Sequence, residues 1–235
     1  WNQIAMVFQE PMTSFGPMHT FGNQIDEVLI RHKHLTGKEA RAQTLAGLES
    51  VGLPRPEKIV RQYPHQISGG MRQRAMIAMA LACNPSLLIA DEPTSALDVS
   101  TEAQILELLL ERQQALQNSI LYISHNLEVV SEIADEVAVM YLGNVVEMAP
   151  GRVLFGDPKH PYTRDLLRSL PGRQGGKRKR LQELKGSIPD PYHQPGGCKY
   201  HTRCREAIKG LCEVQVPPLI SFPGSVRVAC HRIKK

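Results

Sequence analysis

Residues 87–93 read Leu-Leu-Ile-Ala-Asp-Glu-Pro. A short apolar run that ends abruptly in two acids and a proline is typical of a buried strand in a sheet that is covered on both faces. The two carboxylates, Asp91 and Glu92, then lie just past the end of that strand. We therefore take this stretch as a central strand and place the other elements around it.

Helices and strands alternate on both sides of this strand. Before it, the run Met71–Cys83 consists of strong helix formers and opens at Ser68-Gly69-Gly70. Helical spacing of the apolar residues from residue 21 onward predicts a helical subdomain over about residues 21–83. After the central strand we predict a helix at residues 100–116, a strand at 120–123, a helix at 126–134 and two strands at 137–140 and 145–148. This order indicates an α/β fold with a mainly parallel sheet, whose ligands bind beyond the carboxyl ends of the strands.

Composition divides the chain near residue 151. Residues 152–235 hold 18 Lys/Arg against 6 Asp/Glu, whereas the first part of the chain is acidic. Prolines break every long pattern after Pro150, and four of the five cysteines lie in the last forty residues. We therefore predict a domain over residues 1–150 and a small Cys-rich extension over residues 151–235.

The chain shows no targeting or spanning segment. No stretch approaches the roughly 18 uncharged apolar residues of a membrane span. The start at Trp1, without Met or a signal-peptide pattern, predicts a truncated N-terminus. The basic run Lys177–Arg180 suits nucleic acid, lipid headgroups or an acidic partner, or it is a solvated linker.

Four groups of residues are candidates for phosphate chemistry. Ser68-Gly69-Gly70 opens a helix, where free amides point at an anion, although such a sequence is more often a plain helix cap. Asp91 and Glu92 divide metal binding and water activation between them; the alternative is a helix cap at Asp91 and a solvated Glu92. His125 and Gln9 each follow a predicted strand and lie at the same sheet edge, where a lone His is usually structural.

Taken in this order, the elements resemble the nucleotide-binding domain of ABC ATPases, a P-loop-type domain. Five motifs support the resemblance, and they follow the family's order along the chain. They are a Q-loop (Val7-Phe8-Gln9-Glu10-Pro11), a signature (Ile67-Ser68-Gly69-Gly70-Met71), a Walker B strand (Leu87 to Glu92), a D-loop (Ser95-Ala96-Leu97-Asp98) and a switch histidine (Ser124-His125).

The resemblance implies ATP and Mg²⁺ as cofactors and a role for each motif. Gln9 would lie near Mg²⁺ and the coupling surface, and Asp91 would hold Mg²⁺ through water. Glu92 would be the base for the attacking water, and His125 would contact the γ-phosphate. The remaining nucleotide-binding residues would act across a dimer of two ATPase subunits; they are Ser68, Gly69, Gly70 and Asp98.

The sequence departs from the family in one large way. Nothing of the form Gly-x-x-x-x-Gly-Lys-Ser/Thr occurs in it, so we expect these residues alone to be inactive as an ATPase. Ile67 and Met71 replace the commoner Leu and Gln of the signature. We expect both changes to be tolerated, because the phosphate contacts come from the serine and the glycines.

The residues after position 150 indicate which group of ABC ATPases the chain resembles. Residues 157–163, Asp-Pro-Lys-His-Pro-Tyr-Thr, followed by Leu166-Leu167 and Leu170-Pro171, resemble the extension of oligopeptide and dipeptide importers. That resemblance implies two transmembrane permease subunits and, indirectly, a peptide-binding protein as partners. It also implies a peripheral location on the cytoplasmic face of the bacterial inner membrane. The alternatives are an importer of another solute such as nickel, or a soluble ABC ATPase that uses the basic tail for nucleic acid; we expect no nucleic acid.

The tail cysteines Cys198, Cys204, Cys212 and Cys230 have the spacing C-x5-C-x7-C-x17-C. Four thiolates can bind an iron–sulfur cluster or Zn²⁺, although the close Cys-x2-Cys pairs usual for structural zinc are missing. Free or transiently oxidised thiols are the other alternative. The similarity to peptide-importer ATPases, which carry a Cys-rich tail assigned to a [4Fe-4S] cluster, favours the cluster, with either a structural or a sensing role. Cys83, in an Ala-rich helix, is predicted to be a small buried apolar residue.

Overall fold

The computed structural model describes residues 3–10, 14–95, 97–170 and 186–233. The chain divides into two compact units, Trp1–His125 and Asn126–Lys235, each with its own hydrophobic core. Some residues of the predicted motifs lie outside the described ranges, namely Trp1, Pro11, Ala96, Pro171 and the run Lys177–Arg180. Within those ranges, no helix combines the length and the apolar character that crossing a membrane needs.

The first unit joins a group of helices to a three-stranded parallel sheet. The strands lie in the order β1-β2-β3. In chain order the elements are β1 (Ile4–Val7), α1 (Phe21–Lys33), α2 (Gly37–Ser50), α3 (Pro56–Ile59), a 3-10 turn (Pro64–Gln66), α4 (Gly69–Leu81), β2 (Leu87–Asp91), α5 (Val99–Leu116) and β3 (Ser119–Ile123).

Helix α4 lies in the middle of this unit. Its residues Ala75–Leu81 are all buried. Every side of this part of the helix carries small or apolar side chains, which is typical of a helix inside a core. Cys83, just beyond it, is 4% exposed, as expected for a small buried apolar residue. Ser68 caps the helix and Gly69 is its first residue, so the predicted helix start at the glycines is confirmed.

Gly22 allows α1 to approach a neighbouring loop very closely. The amide of Gly22 donates to the Val60 carbonyl over 3.1 Å, and the amide of Phe21 donates to the Gln62 carbonyl over 3.0 Å. A Cβ atom on Gly22 would lie 2.7 Å from the Val60 oxygen, well inside contact distance. The start of α1 therefore packs on backbone where no side chain fits.

The second unit contains a four-stranded antiparallel sheet in the order β4-β5-β7-β6. Helices α7 and α8 lie between β5 and β6 in the chain. Its elements are α6 (Leu127–Ile133), β4 (Glu136–Tyr141), β5 (Asn144–Pro150), α7 (Gly151–Gly156), α8 (Pro161–Arg168), β6 (Ile220–Phe222) and β7 (Val226–Val228).

The expectation of one mainly parallel sheet is wrong for the strands predicted at residues 137–140 and 145–148. They form the antiparallel hairpin β4-β5, in which Tyr141 pairs with Asn144. The loop residues Leu142 and Gly143 both have positive φ, 44° and 77°, as two-residue hairpin turns require. Two residues cannot connect parallel strands, so the chain contains parallel and antiparallel sheets.

Three tyrosines form the centre of the second core. The rings of Tyr141, Tyr162 and Tyr200 lie 4.8 to 5.2 Å apart, centroid to centroid, in tilted and edge-on contacts. Tyr200 is 1% exposed, and its hydroxyl donates to Asp165 Oδ2 over 2.7 Å. The tail segment that carries the cysteines is therefore anchored by a buried aromatic residue.

We predict that Gly22→Ala and Gly47→Ala change stability in opposite directions. The first places a methyl group against the Val60 backbone and should cost about 1–3 kcal/mol of unfolding free energy. Gly47 lies inside α2 with open space around it, so alanine there should add roughly 0.5–1 kcal/mol. Urea unfolding of both variants and the parent measures this, and equal effects would contradict the close approach at Gly22.

Candidate functional site

The carboxyl ends of the three parallel strands lie in register. Val7 of β1 pairs with Ala90 of β2, which pairs with Tyr122 of β3. The residues that follow each strand are therefore brought to one edge of the sheet. Gln9 follows β1, Asp91 ends β2 directly before Glu92, and His125 follows β3.

Both carboxylate oxygens of Glu92 accept hydrogen bonds at this edge. Gln9 Nε2 donates to Oε2 over 2.8 Å, and His125 Nδ1 lies 2.9 Å from Oε1. An ionised carboxylate only accepts, so Nδ1 carries the proton and Nε2 remains for another partner. The Glu92 side chain is 24% exposed and that of His125 is 74% exposed. Glu92 is thus the centre of a three-residue polar group that is open to solvent on the histidine side.

The backbone of Glu92 has a left-handed conformation, with φ of 42°. Such a conformation is unfavourable for a residue with a side chain, and surrounding bonds must hold it. The Glu92 amide donates to the Ile123 carbonyl over 2.9 Å, and the Glu92 carbonyl accepts from both the amide and the hydroxyl of Ser95. The chain therefore leaves β2 in a fixed, strained turn at the residue that carries the carboxylate.

A buried hydroxyl network lies under this turn. Thr94 is 5% exposed, and its hydroxyl donates to Glu102 Oε1 over 2.8 Å and lies 3.4 Å from the Tyr122 hydroxyl. Burial raises the pKa of Tyr122, and the carboxylates of Glu102 and Glu92 raise it further. Thr94, Glu102 and Tyr122 were not among the predicted site residues. Tyr122 had a sequence signal, since it lies in the strand predicted at residues 120–123, directly before Ser124-His125.

The alternative of a helix cap at Asp91 with a solvated Glu92 is wrong. Asp91 is the last residue of β2 and pairs with Ile123. The next helix, α5, is capped by Asp98 instead. Asp98 accepts from the amide of Thr101 over 3.0 Å, and this bond lowers the pKa of its carboxyl.

The residues of the predicted signature form a second group, next to Asp98. The Ser68 hydroxyl accepts from the Met71 amide over 3.4 Å, so it caps its own helix. Gly70 faces the first turn of α5, because a Cβ on Gly70 would lie 3.1 Å from Thr101 Cγ2. The surroundings of Gly69 are open, with no atom within 4 Å of the position of an added Cβ. Ser68, Gly69, Gly70 and Asp98 thus lie at the adjacent starts of α4 and α5.

A groove crosses the helical part of the first unit. It has a volume of about 350 Å³. Five of its lining residues are on α1 and one is on α4: Gln24, Glu27, Val28, Arg31, His32 and Met79.

The four tail cysteines are neighbours in the second unit, and all are free thiols. Burial raises the pKa of Cys204 to about 11 and raises the pKa values of Cys198 and Cys230. The other thiols add to each shift: Cys212 and Cys230 act on Cys198, and Cys198 and Cys230 act on Cys204. Among the residues that the structure describes, no three His, Cys, Asp or Glu side chains are grouped so that they hold one metal ion as they stand.

Backbone groups act on the tail sulfurs. The Ile208 amide donates to Cys212 Sγ over 3.3 Å. At the other three cysteines, backbone hydrogen bonds lower the thiol pKa against the effect of burial, so they stabilise the thiolate. Those donors belong to Tyr200 and His201 at Cys198, to Glu206 at Cys204, and to Arg232 and Ile233 at Cys230. Burial outweighs these bonds at Cys198, Cys204 and Cys230, so the net effect is a raised thiol pKa.

His160 is a buried neutral base beside this region. It is 1% exposed, and its Nδ1 accepts from the Tyr162 amide over 3.0 Å. Burial lowers its pKa to about 4, the Arg164 guanidinium lowers it further, and a hydrogen bond to the Ala229 backbone opposes both. Ala229 directly precedes Cys230, so His160 connects the start of α8 to the last cysteine.

Two family models match the chain. The ABC transporter model matches residues 2–95, and the model of the oligopeptide/dipeptide transporter C-terminal region matches residues 146–212. The chain is 51% identical over 229 residues to the oligopeptide transport ATP-binding protein AppD of Bacillus subtilis (strain 168), covering 97% of this chain and 69% of that protein. It is 50% identical over 228 residues to the dipeptide transport ATP-binding protein DppD of Haemophilus influenzae, with coverage of 97% and 68%.

Solved structures show the same fold. The ATP-binding cassette MJ0796, in a dimeric post-hydrolysis state bound to ADP and Pi, aligns with a TM-score of 0.56 at 27% identity, covering 64% of each chain. The chain cbiO1 from Clostridium perfringens, part of the ABC transporter complex cbiONQ, aligns with a TM-score of 0.58 at 28% identity, covering 66% of this chain and 60% of that one.

We predict that His160→Asn flattens the pH dependence of stability between about pH 4 and 6.5. The unfolded chain protonates this histidine below its usual pKa of 6.5, whereas the folded chain keeps it neutral down to about pH 4. The unfolded state binds more protons in this window, so the histidine's contribution is complete above it and is lost as the pH falls, by up to about 3 kcal/mol.

Urea unfolding followed by tyrosine circular dichroism across this pH window measures the effect. Asparagine keeps an acceptor for the Tyr162 amide but does not titrate, so it is the matched comparison. Identical pH slopes for the parent and the variant would show that His160 titrates normally in the folded chain.

Proposed function

The chain belongs to the family of oligopeptide and dipeptide transport ATP-binding proteins, and we propose that it hydrolyses ATP to drive the uptake of short peptides through an ABC importer. The polar group at the sheet edge carries this proposal. Glu92 is held there between Gln9 and His125, in a strained turn at the end of a buried strand. We infer the peptide cargo from the names of the relatives, which are oligopeptide and dipeptide transport ATP-binding proteins.

In this proposal Glu92 is the general base. Its carboxylate takes the proton of the water whose oxygen attacks the γ-phosphorus, while the bond to the bridging oxygen breaks and ADP leaves. Gln9 and His125 each bond one oxygen of Glu92, and each oxygen keeps a second lone pair that can accept the water's proton. To contact the γ-phosphate, Nε2 of His125 must itself carry a proton, because phosphate oxygens only accept; the ring is then protonated on both nitrogens while Nδ1 stays engaged with Glu92.

Gln9 and Asp91 are the residues that would hold Mg²⁺. Both offer oxygen donors at the carboxyl edge of the sheet, and oxygen is the donor that Mg²⁺ prefers. When bound, the ion neutralises part of the charge of the phosphates. The strained turn and the Thr94 hydroxyl network fix where Asp91 and Glu92 lie relative to each other.

The second group of residues would act on ATP held by another subunit. In this proposal Ser68, Gly69 and Gly70 present the free amides at the start of α4 to the γ-phosphate across a dimer of ATPase subunits. The open surroundings of Gly69 suit such an approach, and Asp98 lies beside Gly70 at the start of α5. The sequence has no Gly-x-x-x-x-Gly-Lys-Ser/Thr, so we propose that this ATP hydrolysis needs the assembled transporter and that these 235 residues alone do not turn over ATP.

The groove on α1 and α4 is the proposed docking site for a short helix of a permease subunit. It combines the opposite charges of Glu27 and Arg31 with the apolar Val28 and Met79. Two permease subunits would place the chain at the cytoplasmic face of the inner membrane, with a peptide-binding protein delivering the cargo. We also propose an ATPase domain over residues 1–150 and an extension over 151–235, a division supported by the start of the C-terminal family match at residue 146. The structure divides into its two compact units earlier, between His125 and Asn126, because β4 and β5 share a core with the tail.

We further propose that the four tail cysteines bind a [4Fe-4S] cluster. Two observations support it: the thiols are close enough to shift one another's pKa values, and the Ile208 amide donates to Cys212 Sγ. The side chains must still converge from their present positions to hold a metal. If the tail binds zinc, or if all four thiols are free, the cluster assignment is wrong and the ATPase proposal is unaffected.

We predict that Glu92→Gln abolishes ATP hydrolysis in the intact transporter while ATP still binds. Removal of the base should lower kcat by about 10²–10⁴-fold, because the amide cannot accept the water's proton. Steady-state phosphate release and binding of a fluorescent ATP analogue measure the two effects.

Glu107→Gln is the matched control, since Glu107 is an exposed carboxylate on α5 outside the site. It should leave kcat unchanged. Normal turnover in Glu92→Gln would remove Glu92 from the role of base, and loss of ATP binding in that variant would show that it acts in binding rather than in proton transfer.

A further inference from the structure

Two tail cysteines are held together by backbone contact rather than by their side chains. The amide of Cys198 donates to the Cys212 carbonyl over 2.8 Å, although the two residues are far apart in the sequence. Gly197 lies directly before this bond and has φ of 57°, a conformation that favours glycine. The chain before Cys198 and the chain after Cys212 therefore cross at backbone distance.

Only glycine fits at this crossing. A Cβ on Gly197 would lie 2.4 Å from the Cys212 oxygen and 2.8 Å from the backbone of Glu213 and Val214. Those atoms are backbone, so they cannot move aside as a flexible side chain would. Gly196 is also close, with its added Cβ 3.1 Å from the Glu213 carbonyl. A side chain at position 197 must push Cys198 and Cys212 apart.

The other two cysteines are connected to this pair through short turns. The amide of His201 donates to the Cys198 carbonyl, and the amide of Cys204 donates to the His201 carbonyl, so two successive tight turns carry the chain from Cys198 to Cys204. Arg232 Nε donates to the Glu206 carbonyl over 2.9 Å, which ties the residues after Cys230 to those after Cys204. The segments that carry the four cysteines are thus connected to the crossing by backbone and side-chain hydrogen bonds.

We infer that Gly197 is the positioning residue of the four-thiol site, because the Gly197 crossing fixes the backbone of Cys198 against that of Cys212. The inference rests on the proposed cluster site.

The test compares Gly197→Ala with Gly224→Ala. Gly224 lies in the β6–β7 turn with φ of 78°, but an added Cβ meets no atom within 4 Å, so this variant carries the conformational strain without the clash. Each chain is reconstituted anaerobically with ferrous iron and sulfide, and retained iron is measured against a competing chelator. The parent and Gly224→Ala should hold about four iron and four sulfide per chain.

Gly197→Ala should lose about 10- to 100-fold in affinity for iron, the usual effect of removing a residue that supports metal ligands. Amide hydrogen exchange in the metal-free chains gives a second readout, in which the Cys198 amide is protected in the parent and in Gly224→Ala but exchanges faster in Gly197→Ala. If Gly197→Ala fails to fold, Gly196→Ala replaces it, with a smaller loss expected from its milder contact.

Failure of the positioning role of Gly197 and failure of the proposed cluster give different results. Normal iron affinity in a folded Gly197→Ala chain, or a Cys198 amide that is unprotected in the parent, overturns the positioning role and leaves the cluster standing. A parent chain that retains no iron overturns the cluster, and with it the function of the crossing.

Discussion

The candidate active site depends on three parallel strands that end in register. Because β1, β2 and β3 stop at the same level, the residues after them meet at one edge without any long loop to place them. Glu92 then receives Gln9 on one oxygen and His125 on the other, and its strained backbone is held by Ile123 and Ser95. A carboxylate fixed from both sides can be poised toward one water molecule, which is the requirement for a general base.

Close backbone approaches at glycine hold two other segments of the chain in place. Gly22 lets α1 pack on the Val60 carbonyl, and Gly197 lets the tail cross itself at Cys212. In both places a hydrogen bond between backbone groups distant in the sequence replaces side-chain packing. In the second unit, the three-tyrosine core and the buried neutral His160 also hold the chain in place. Each device fixes a short irregular segment that local secondary structure alone would leave undefined.

The sequence predicted the parts of this structure that follow from periodicity and strand ends. The buried strand at residue 87, the helix at the glycines and the common edge for Gln9, Glu92 and His125 required only the apolar pattern and the geometry of parallel sheets. The hairpin of β4 and β5 was missed although Gly143 signalled a tight turn. The positive φ of Glu92, the Thr94 network and the Gly197 crossing depend on contacts between distant residues, which no local pattern carries.

The most direct test of the account is the tautomer of His125 in the chain labelled with ¹⁵N-histidine. Because a carboxylate can only accept, the bond to Glu92 requires the proton on Nδ1 of the neutral ring. We predict the Nδ1-protonated tautomer in the parent chain and its loss in Glu92→Ala, with the signal assigned by His125→Gln. A neutral His125 protonated on Nε2, or a tautomer that does not respond to Glu92→Ala, would show that Glu92 is not held at the sheet edge as described.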